Sequence, residues 1–378
     1  MKIYYWSPFT SHVATIKAVI NSAYGLKNIF QYDTSIINSF GEWDSYKKEI
    51  RLKKIGILNN SKKTNIKFTQ GYLNSRIAFI KIFFHSLFFL KKILNKNKPE
   101  YIVIHLITSL PLFLFLMFNF KTKLVLRISG LPKLNFLRRF FWKISRKNIS
   151  FITVPTKETL KNLKKMNIFD STKIHYLPDP VFIQRKIKKE NHKKNKYNQK
   201  YILNIGRLSK QKNQIILIKA FKKISQKYKN LKLLILGTGE KFLELSLLSK
   251  ELGLDKKIRF LGHINSPRKY IKGSLCVIVT SLWEDPGFVM IEASSLKKIV
   301  INSNCPSGPK EFFKNGKNGF LFKNNNSTSL INTFDRFMSS KKKDIDYYKV
   351  QNYKKSLEYS EIEHAKKFNQ LLKSYEKK

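Results

Sequence analysis

The sequence predicts an α/β protein of two doubly wound, Rossmann-like domains facing a central cleft. Three observations predict it. Short, continuously apolar, β-rich runs alternate with amphipathic helical patterns, the signature of a parallel sheet covered on both faces. A nearly core-free run of Lys and Asn, IQRKIKKENHKKNKYNQK at 183–200, separates two such halves. The 378 residues, 42% of them apolar, suffice for two cores.

The boundary falls near residue 182, because LPDP at 177–180 places two prolines where a chain leaves one domain. The predicted organisation is therefore a domain over 1–182, a linker or loop over 183–200, a domain over 201–360 and a C-terminal helix over 361–378. In the second half the candidate strands are 201–205, 231–236, 258–261, 275–280 and 299–302. Helical spacing of Leu217, Phe221, Ile224 and Tyr228, and of Phe242, Leu245, Leu248 and Leu252, predicts helices over 213–228 and 241–252. In the first half the candidate strands are 2–6, 29–34, 101–105, 122–127 and 150–154, with helices over 13–23, 73–94 and 134–147.

The run 101–120 (YIVIHLITSLPLFLFLMFNF) is long enough to span a bilayer. It contains His105 and Pro111 and divides into a β-rich run and a short helix, so it reads as a buried strand and helix. The N-terminal MKIYYWSPF lacks the apolar centre of a signal peptide and reads as the first strand. Cys276 and Cys305 have no metal-ligand spacing and read as buried thiols of a cytoplasmic protein. Lys and Arg number 74 against 24 Asp and Glu, a formal charge of +50. Two causes fit: an anionic partner, nucleic acid or membrane, or the codon bias of an AT-rich genome, which also enriches Asn, Ile and Phe.

The residues that carry chemistry follow strands of the second domain, where ligands of open α/β sheets bind. After strand 201–205, Gly206 permits a sharp turn, and Arg207 and Lys212 project from the loop entering the next helix. Two cations beside a helix N-terminus suit a diphosphate. Further on, Glu284 and Glu292 bracket a loop-to-helix transition, EDPGFVMIE. Gly287 permits close ligand approach, and the free N–H groups at 287–289, including those of Phe288 and Val289, can hold a phosphate. Glu292, one turn into the helix, can accept two hydroxyl hydrogen bonds, as from a ribose diol, while Glu284 is placed to meet a sugar beyond the phosphates. Acidic residues near a helix N-terminus also favour the dipole without any ligand.

NIGRLSKQKN, LILGTGE, IRFLGHI and EDPGFVMIEASS, in that order and spacing, closely resemble glycosyltransferase family 4, whose fold is GT-B. The likeness covers about residues 200–325, and NCPSGPKEFF at 304–313 resembles members that use UDP-hexoses or UDP-N-acetylhexosamines. The resemblance implies that Arg207 and Lys212 bind the donor diphosphate, Glu292 the ribose and Glu284 the donor sugar, with the Phe288 and Val289 amides near the phosphates. It also implies a retaining, metal-independent transferase with no cofactor beyond its nucleotide-sugar co-substrate. The acceptor, on the N-terminal side, would be a saccharide or lipid-linked saccharide of the cell envelope. The first domain departs from the family pattern. Ser11-His12-Val13-Ala14-Thr15 lacks the usual glycine turn, and LRISGLPK at 126–133 carries Arg127 and Ser129 where a histidine is usual. His105 is the candidate substitute, although a strand-end His equally fits a structural role.

Gly237-Thr238-Gly239 hints at a dinucleotide fingerprint, but Phe242 occupies the third glycine position. Asp344-Ile345-Asp346 imitates a metal pair and reads as surface, and no metal site is expected. The segment 133–147 interleaves aromatics with basic residues at helical spacing. It fits either a helix lying on an anionic membrane, in a peripheral protein, or a core-facing helix with snorkelling cations. The rival functions are a basic nucleic-acid-binding protein, for which no recognised module is present, and a GT-B enzyme of different chemistry, an epimerase or phosphorylase.

Overall fold

The computed structural model describes residues 1–11, 13–61, 72–130, 132, 134–184 and 200–376, of which 72–75 by their backbone alone. Most of the predicted linker, 185–199, lies outside the described residues, as does His12. The chain divides into two compact units, Met1–Ile183 with Ser360–Lys378, and Gln184–Tyr359.

The first unit is built on a parallel seven-stranded sheet. Its strands are β1 (Lys2–Trp6), β2 (Asp33–Asn38), β3 (Gly56–Asn59), β4 (Tyr101–Ile104), β5 (Lys123–Arg127), β6 (Ile149–Val154) and β7 (Ile174–Tyr176), in the order β3-β2-β1-β4-β5-β6-β7. Its helices are α1 (Ala14–Phe30), α2 (Lys47–Leu52), α3 (Tyr72–Asn97), α4 (Ser109–Met117), α5 (Phe136–Ser145) and α6 (Lys157–Lys165). Alternate residues of β1 serve opposite cores. Ile3 and Tyr5 pack with α1, while Tyr4 and Trp6 pack with α3 to α6.

The strand expected at 29–34 begins only at Asp33, since α1 continues through Phe30. Ile29 and Phe30 lie one turn beyond Leu26 on the helix face that packs into the core, and Gln31 ends the helix in the left-handed region at φ 56°. The run 101–120 is β4 followed by α4, and among the described residues no helix is long and apolar enough to cross a membrane.

The second unit carries a parallel six-stranded sheet, β8 (Tyr201–Ile205), β9 (Lys232–Leu236), β10 (Ile258–Phe260), β11 (Cys276–Val279), β12 (Val300–Ser303) and β13 (Phe320–Phe322), ordered β10-β9-β8-β11-β12-β13. Its helices are α7 (Gln214–Lys227), α8 (Phe242–Glu251), α9 (Arg268–Gly273), α10 (Phe288–Ser295), α11 (Gly308–Phe312), α12 (Ser327–Ser339) and α13 (Lys342–Ser356). The chain then returns to the first unit as α14 (Glu361–Glu376), entering where Glu361 N–H donates to the Phe182 carbonyl at 3.1 Å. Ala365, Phe368 and Leu372 of α14 complete the core against α1. Gly25 lets the helices meet, since a Cβ there would lie 2.7 Å from the Glu361 carbonyl oxygen.

Candidate functional site

In the second unit the strand order runs one way from β8 to β9 and β10, and the other way through β11, β12 and β13. The carboxyl ends of β8 and β11 therefore flank the switch point, where open α/β sheets commonly bind their ligands. Gly206, Arg207 and Lys212 leave β8 there, and Glu284 and Gly287 leave β11.

The two loops are joined. Lys212 Nζ lies 2.5 Å from Glu284 Oε1, and Ser281 Oγ donates to the same carboxylate oxygen at 2.6 Å. Thr280 Oγ1 donates to the Lys212 carbonyl at 2.8 Å, and the Leu282 N–H to the Gln211 carbonyl at 2.8 Å. Gly206 lies under the Lys212 stem, since a Cβ would meet Lys212 Cγ at 3.3 Å. Arg207 is exposed on the same loop, its Nη2 donating to Gln211 Oε1 at 3.3 Å.

Gly287 caps α10 at φ 102°, a conformation that disfavours side chains. It brings no side-chain cap, so the first-turn N–H groups of Phe288 and Val289 receive none from that position. Glu292 is buried, its Oε1 3.9 Å from the Nε of the equally buried Arg268. Burial pushes the thiol of Cys305, on the loop after β12, up to about 11, so it stays protonated at neutral pH.

Several participants were not among the site residues expected from the sequence, although Gly237, Gly239 and Gly308 lie in stretches that carry the family resemblance. Gly308 N–H donates to the Glu284 carbonyl at 3.2 Å, and a Cβ on Gly308 would sit 1.8 Å from the Pro286 carbonyl oxygen. Gly237 and Gly239, discounted as a dinucleotide signal, let the loop after β9 press on the loop after β8. Their added Cβ atoms would fall 1.9 Å from the Gly206 oxygen and 2.4 Å from the Leu208 oxygen. The glycines were legible as glycines, but only the fold shows what they approach. Arg268 is one of 74 cations in the chain, and burial alone distinguishes it.

In the first unit the switch point lies between β1 and β4, and His105 follows β4 there, its N–H donating to the Trp6 carbonyl at 3.0 Å. Burial, with Arg127 and His364 close by, holds its imidazole well below the usual histidine range, so it is neutral at pH 7. Arg127 is committed elsewhere. Its Nε donates to Asp179 Oδ1 at 3.1 Å and its Nη1 to the Ile128 carbonyl at 2.7 Å, all buried. Asp344 and Asp346 are exposed on α13, and among the described residues no cluster of three or more His, Cys, Asp or Glu could hold a metal ion.

A family model for group 1 glycosyl transferases matches residues 184–354, the span of the second unit and its switch-point loops. Over those residues the chain is similar to the group 1 glycosyl transferases, and it is a glycosyltransferase. The transferase is 29% identical over 308 residues to an uncharacterized glycosyltransferase of Methanocaldococcus jannaschii, a match covering 74% of this chain and 71% of the relative. It is 28% identical over 243 residues, 62% of this chain and 63% of the relative, to a Campylobacter jejuni enzyme. That enzyme is the N-acetylgalactosamine-N,N'-diacetylbacillosaminyl-diphospho-undecaprenol 4-alpha-N-acetylgalactosaminyltransferase. Among solved structures, Anabaena HepE in complex with UDP aligns with a TM-score of 0.74 at 16% identity, covering 99% of this chain and 100% of that one. The likeness is one of fold, and the fold of the transferase is GT-B.

Proposed function

We propose that the transferase moves a hexosyl or N-acetylhexosaminyl group from a UDP-sugar, with retention, to a saccharide or lipid-linked saccharide in cell-envelope polysaccharide synthesis. The observation that carries the proposal is the pairing of Lys212 with Glu284 across the switch point. It sits between glycine-permitted loops and a helix N-terminus without a side-chain cap. That combination offers a cation and amides to a diphosphate, and a carboxylate to sugar hydroxyls.

In this reading Arg207, Lys212 and the amides of Phe288 and Val289 hold the diphosphate, and Glu292 accepts from the ribose hydroxyls. A bound diphosphate draws Lys212 away from Glu284, whose carboxylate then accepts from the donor sugar. The C1–O bond to the phosphate breaks, and the cations stabilise the charge arriving on the departing oxygen. That oxygen takes the proton of the acceptor hydroxyl, whose oxygen bonds to C1 on the same face. His105, neutral, serves the acceptor side as a hydrogen-bonding group. The reading assigns no metal ion and no further cofactor, and places the reaction at the cytoplasmic side of the membrane. UDP as the donor nucleotide is supported by the HepE complex, and a lipid-linked acceptor by the undecaprenol-linked substrate that the Campylobacter enzyme's name records.

The test is calorimetry against UDP, GDP, ADP and their sugar conjugates, in EDTA, on the wild type and on Glu292→Ala and Arg207→Ala. Saturable UDP binding, weakened in both variants, is expected. Absence of nucleotide binding, with the variants indistinguishable from the wild type, would overturn the reading.

A further inference from the structure

Glu100 is the one acidic residue between Glu49 and Glu158, a stretch that supplies α3, α4 and α5. These helices connect β3 to β4, β4 to β5 and β5 to β6, successive right-handed crossovers in one direction, which puts them on one face of the sheet. Their inward residues confirm it, for Leu90, Leu112 and Trp142 share a core with Tyr4 and Trp6. Phe83 and Phe113, with ring centroids 5.5 Å apart, tie α3 to α4.

The outward sides of α3 and α5 are apolar as well. On α3, Ile80, Phe84 and Phe88 recur every fourth residue, with Phe84 67% and Phe88 78% exposed. On α5, Phe136, Phe140 and Ile144 recur at the same spacing, with Phe136 82% and Phe140 56% exposed. The core does not need these side chains, because Ile82, Leu90 and Trp142 already fill the inner sides. α5 faces the core through Trp142, over whose ring Arg138 lies at 4.8 Å, yet it turns aromatics outward as well. Exposed Lys81 and Lys92 accompany the α3 stripe, and exposed Arg139 and Lys143 the α5 stripe. Aromatic stripes of this extent on a water-facing side are uncommon without a partner.

We infer that the outer faces of α3 and α5 form one docking surface for an anionic lipid bilayer, the aromatics entering the interface and the cations meeting the headgroups. Charge selects this occupant. A second copy of the chain would bring the same cations against these, whereas an anionic surface is complementary to them. The inference goes beyond the transfer reaction and depends on neither the donor nor the acceptor assigned to it.

Flotation of the full chain with vesicles tests it, using phosphatidylcholine alone and phosphatidylcholine mixed with phosphatidylglycerol, at low and high salt. The variants are Phe84→Ser/Phe88→Ser and Phe136→Ser/Phe140→Ser, exposed positions whose folding is checked by circular dichroism and whose donor site is checked by UDP calorimetry. The wild type is expected to float with the mixed vesicles and to lose binding as salt rises. Each double variant should lower the partition about tenfold or more. Variants that float like the wild type, or no preference for the anionic vesicles, would overturn the inference. So would a self-associated chain that the variants disperse, or binding of a single-stranded oligonucleotide in place of vesicles. UDP binding unchanged beside any of these outcomes separates failure here from failure of the transferase reading.

Discussion

The Nζ of Lys212 sits 2.5 Å from Oε1 of Glu284, joining the loop after β8 to the loop after β11 over 72 residues of sequence. Each is also held from behind, Glu284 by Ser281 and Lys212 through its carbonyl by Thr280. The pair is thus aimed by two fixed loops, as a site requires.

Lys212→Ala should lower kcat about 10²–10³-fold, the usual range for losing a group that stabilises charge on a departing oxygen. Glu284→Gln keeps the shape and the bond from Ser281 while removing the charge. It should lower kcat with the sugar donor and leave UDP affinity within a few-fold of wild type. Steady-state kinetics with the sugar donor, beside calorimetry with UDP alone, separates the two. Equal loss of UDP affinity in both variants would mean that the pair shapes the loops and nothing more.

Arg268 and Glu292 are both buried at 3.9 Å, close enough for the guanidinium to bias where the carboxylate points. Glu292→Ala should weaken UDP binding by about 10–100-fold, the cost of losing charge-assisted bonds to a diol. Arg268→Met should weaken it less, because it alters only the aim of the carboxylate. Deoxyribose-UDP distinguishes the roles. It should bind the Glu292 variant as UDP does, yet bind the wild type more weakly than UDP.

Gly308 is required for space and not for conformation. Its backbone is not in the left-handed region, yet a Cβ would fall 1.8 Å from the Pro286 oxygen. Gly308→Ala must therefore push the loop after β12 away from the loop carrying Glu284. Donor affinity should fall by about tenfold or more, beside the drop of a few degrees in melting temperature usual for a single buried substitution. Calorimetry beside thermal denaturation checks both halves.

Much of this was legible in the sequence because parallel strands buried on both faces are continuously apolar, as in YILNI, LKLLIL and LCVIVT. Gly56–Asn59 and Phe320–Phe322 went unseen, whereas the equally short Ile258–Phe260 and Val300–Ser303 were read from the apolar runs that contain them. At 29–34 the apolar end of α1 ran into the start of β2, and periodicity cannot divide such a run. Site residues in contiguous motifs were read, because turn glycines, cations and carboxylates sit beside one another in the chain. Arg268 was not, because only burial distinguishes it; Gly308 was read only within NCPSGPKEFF, its approach to Pro286 being hidden; and Ser281 was passed over although its partner Glu284 is three residues away. The role of α14 in the first unit was equally invisible, since the contacts between Gly25 and Ala365 span most of the chain.

His364, on that returning helix, gives the first unit a pH-dependent stability. Its Nδ1 lies 2.7 Å from the Pro178 carbonyl oxygen, which can only accept, so Nδ1 carries the proton. In the neutral ring Nε2 then accepts from Ser22 Oγ at 2.8 Å, and Ser22 accepts from the Tyr5 hydroxyl at 2.9 Å. Charging the ring would turn this chain of donors around inside the core. Burial accordingly pushes the imidazole down to about 4, with the Pro178 bond acting in the other direction. Because the unfolded chain binds this proton near pH 6.5 and the folded one does not until about 4, stability falls as pH drops through that window. The loss is about 3 kcal/mol in full. Buried Glu42, pushed up to about 7, has the opposite slope, losing its contribution as pH rises, so the comparison must be made between variants. His364→Asn keeps an amide for Pro178 but cannot titrate. Between about pH 8 and pH 4, the wild type should lose about 3 kcal/mol more than His364→Asn in denaturant unfolding. Parallel stability curves for the two proteins would show that His364 is charged in the folded state and that the proton order along Tyr5, Ser22 and Pro178 is wrong.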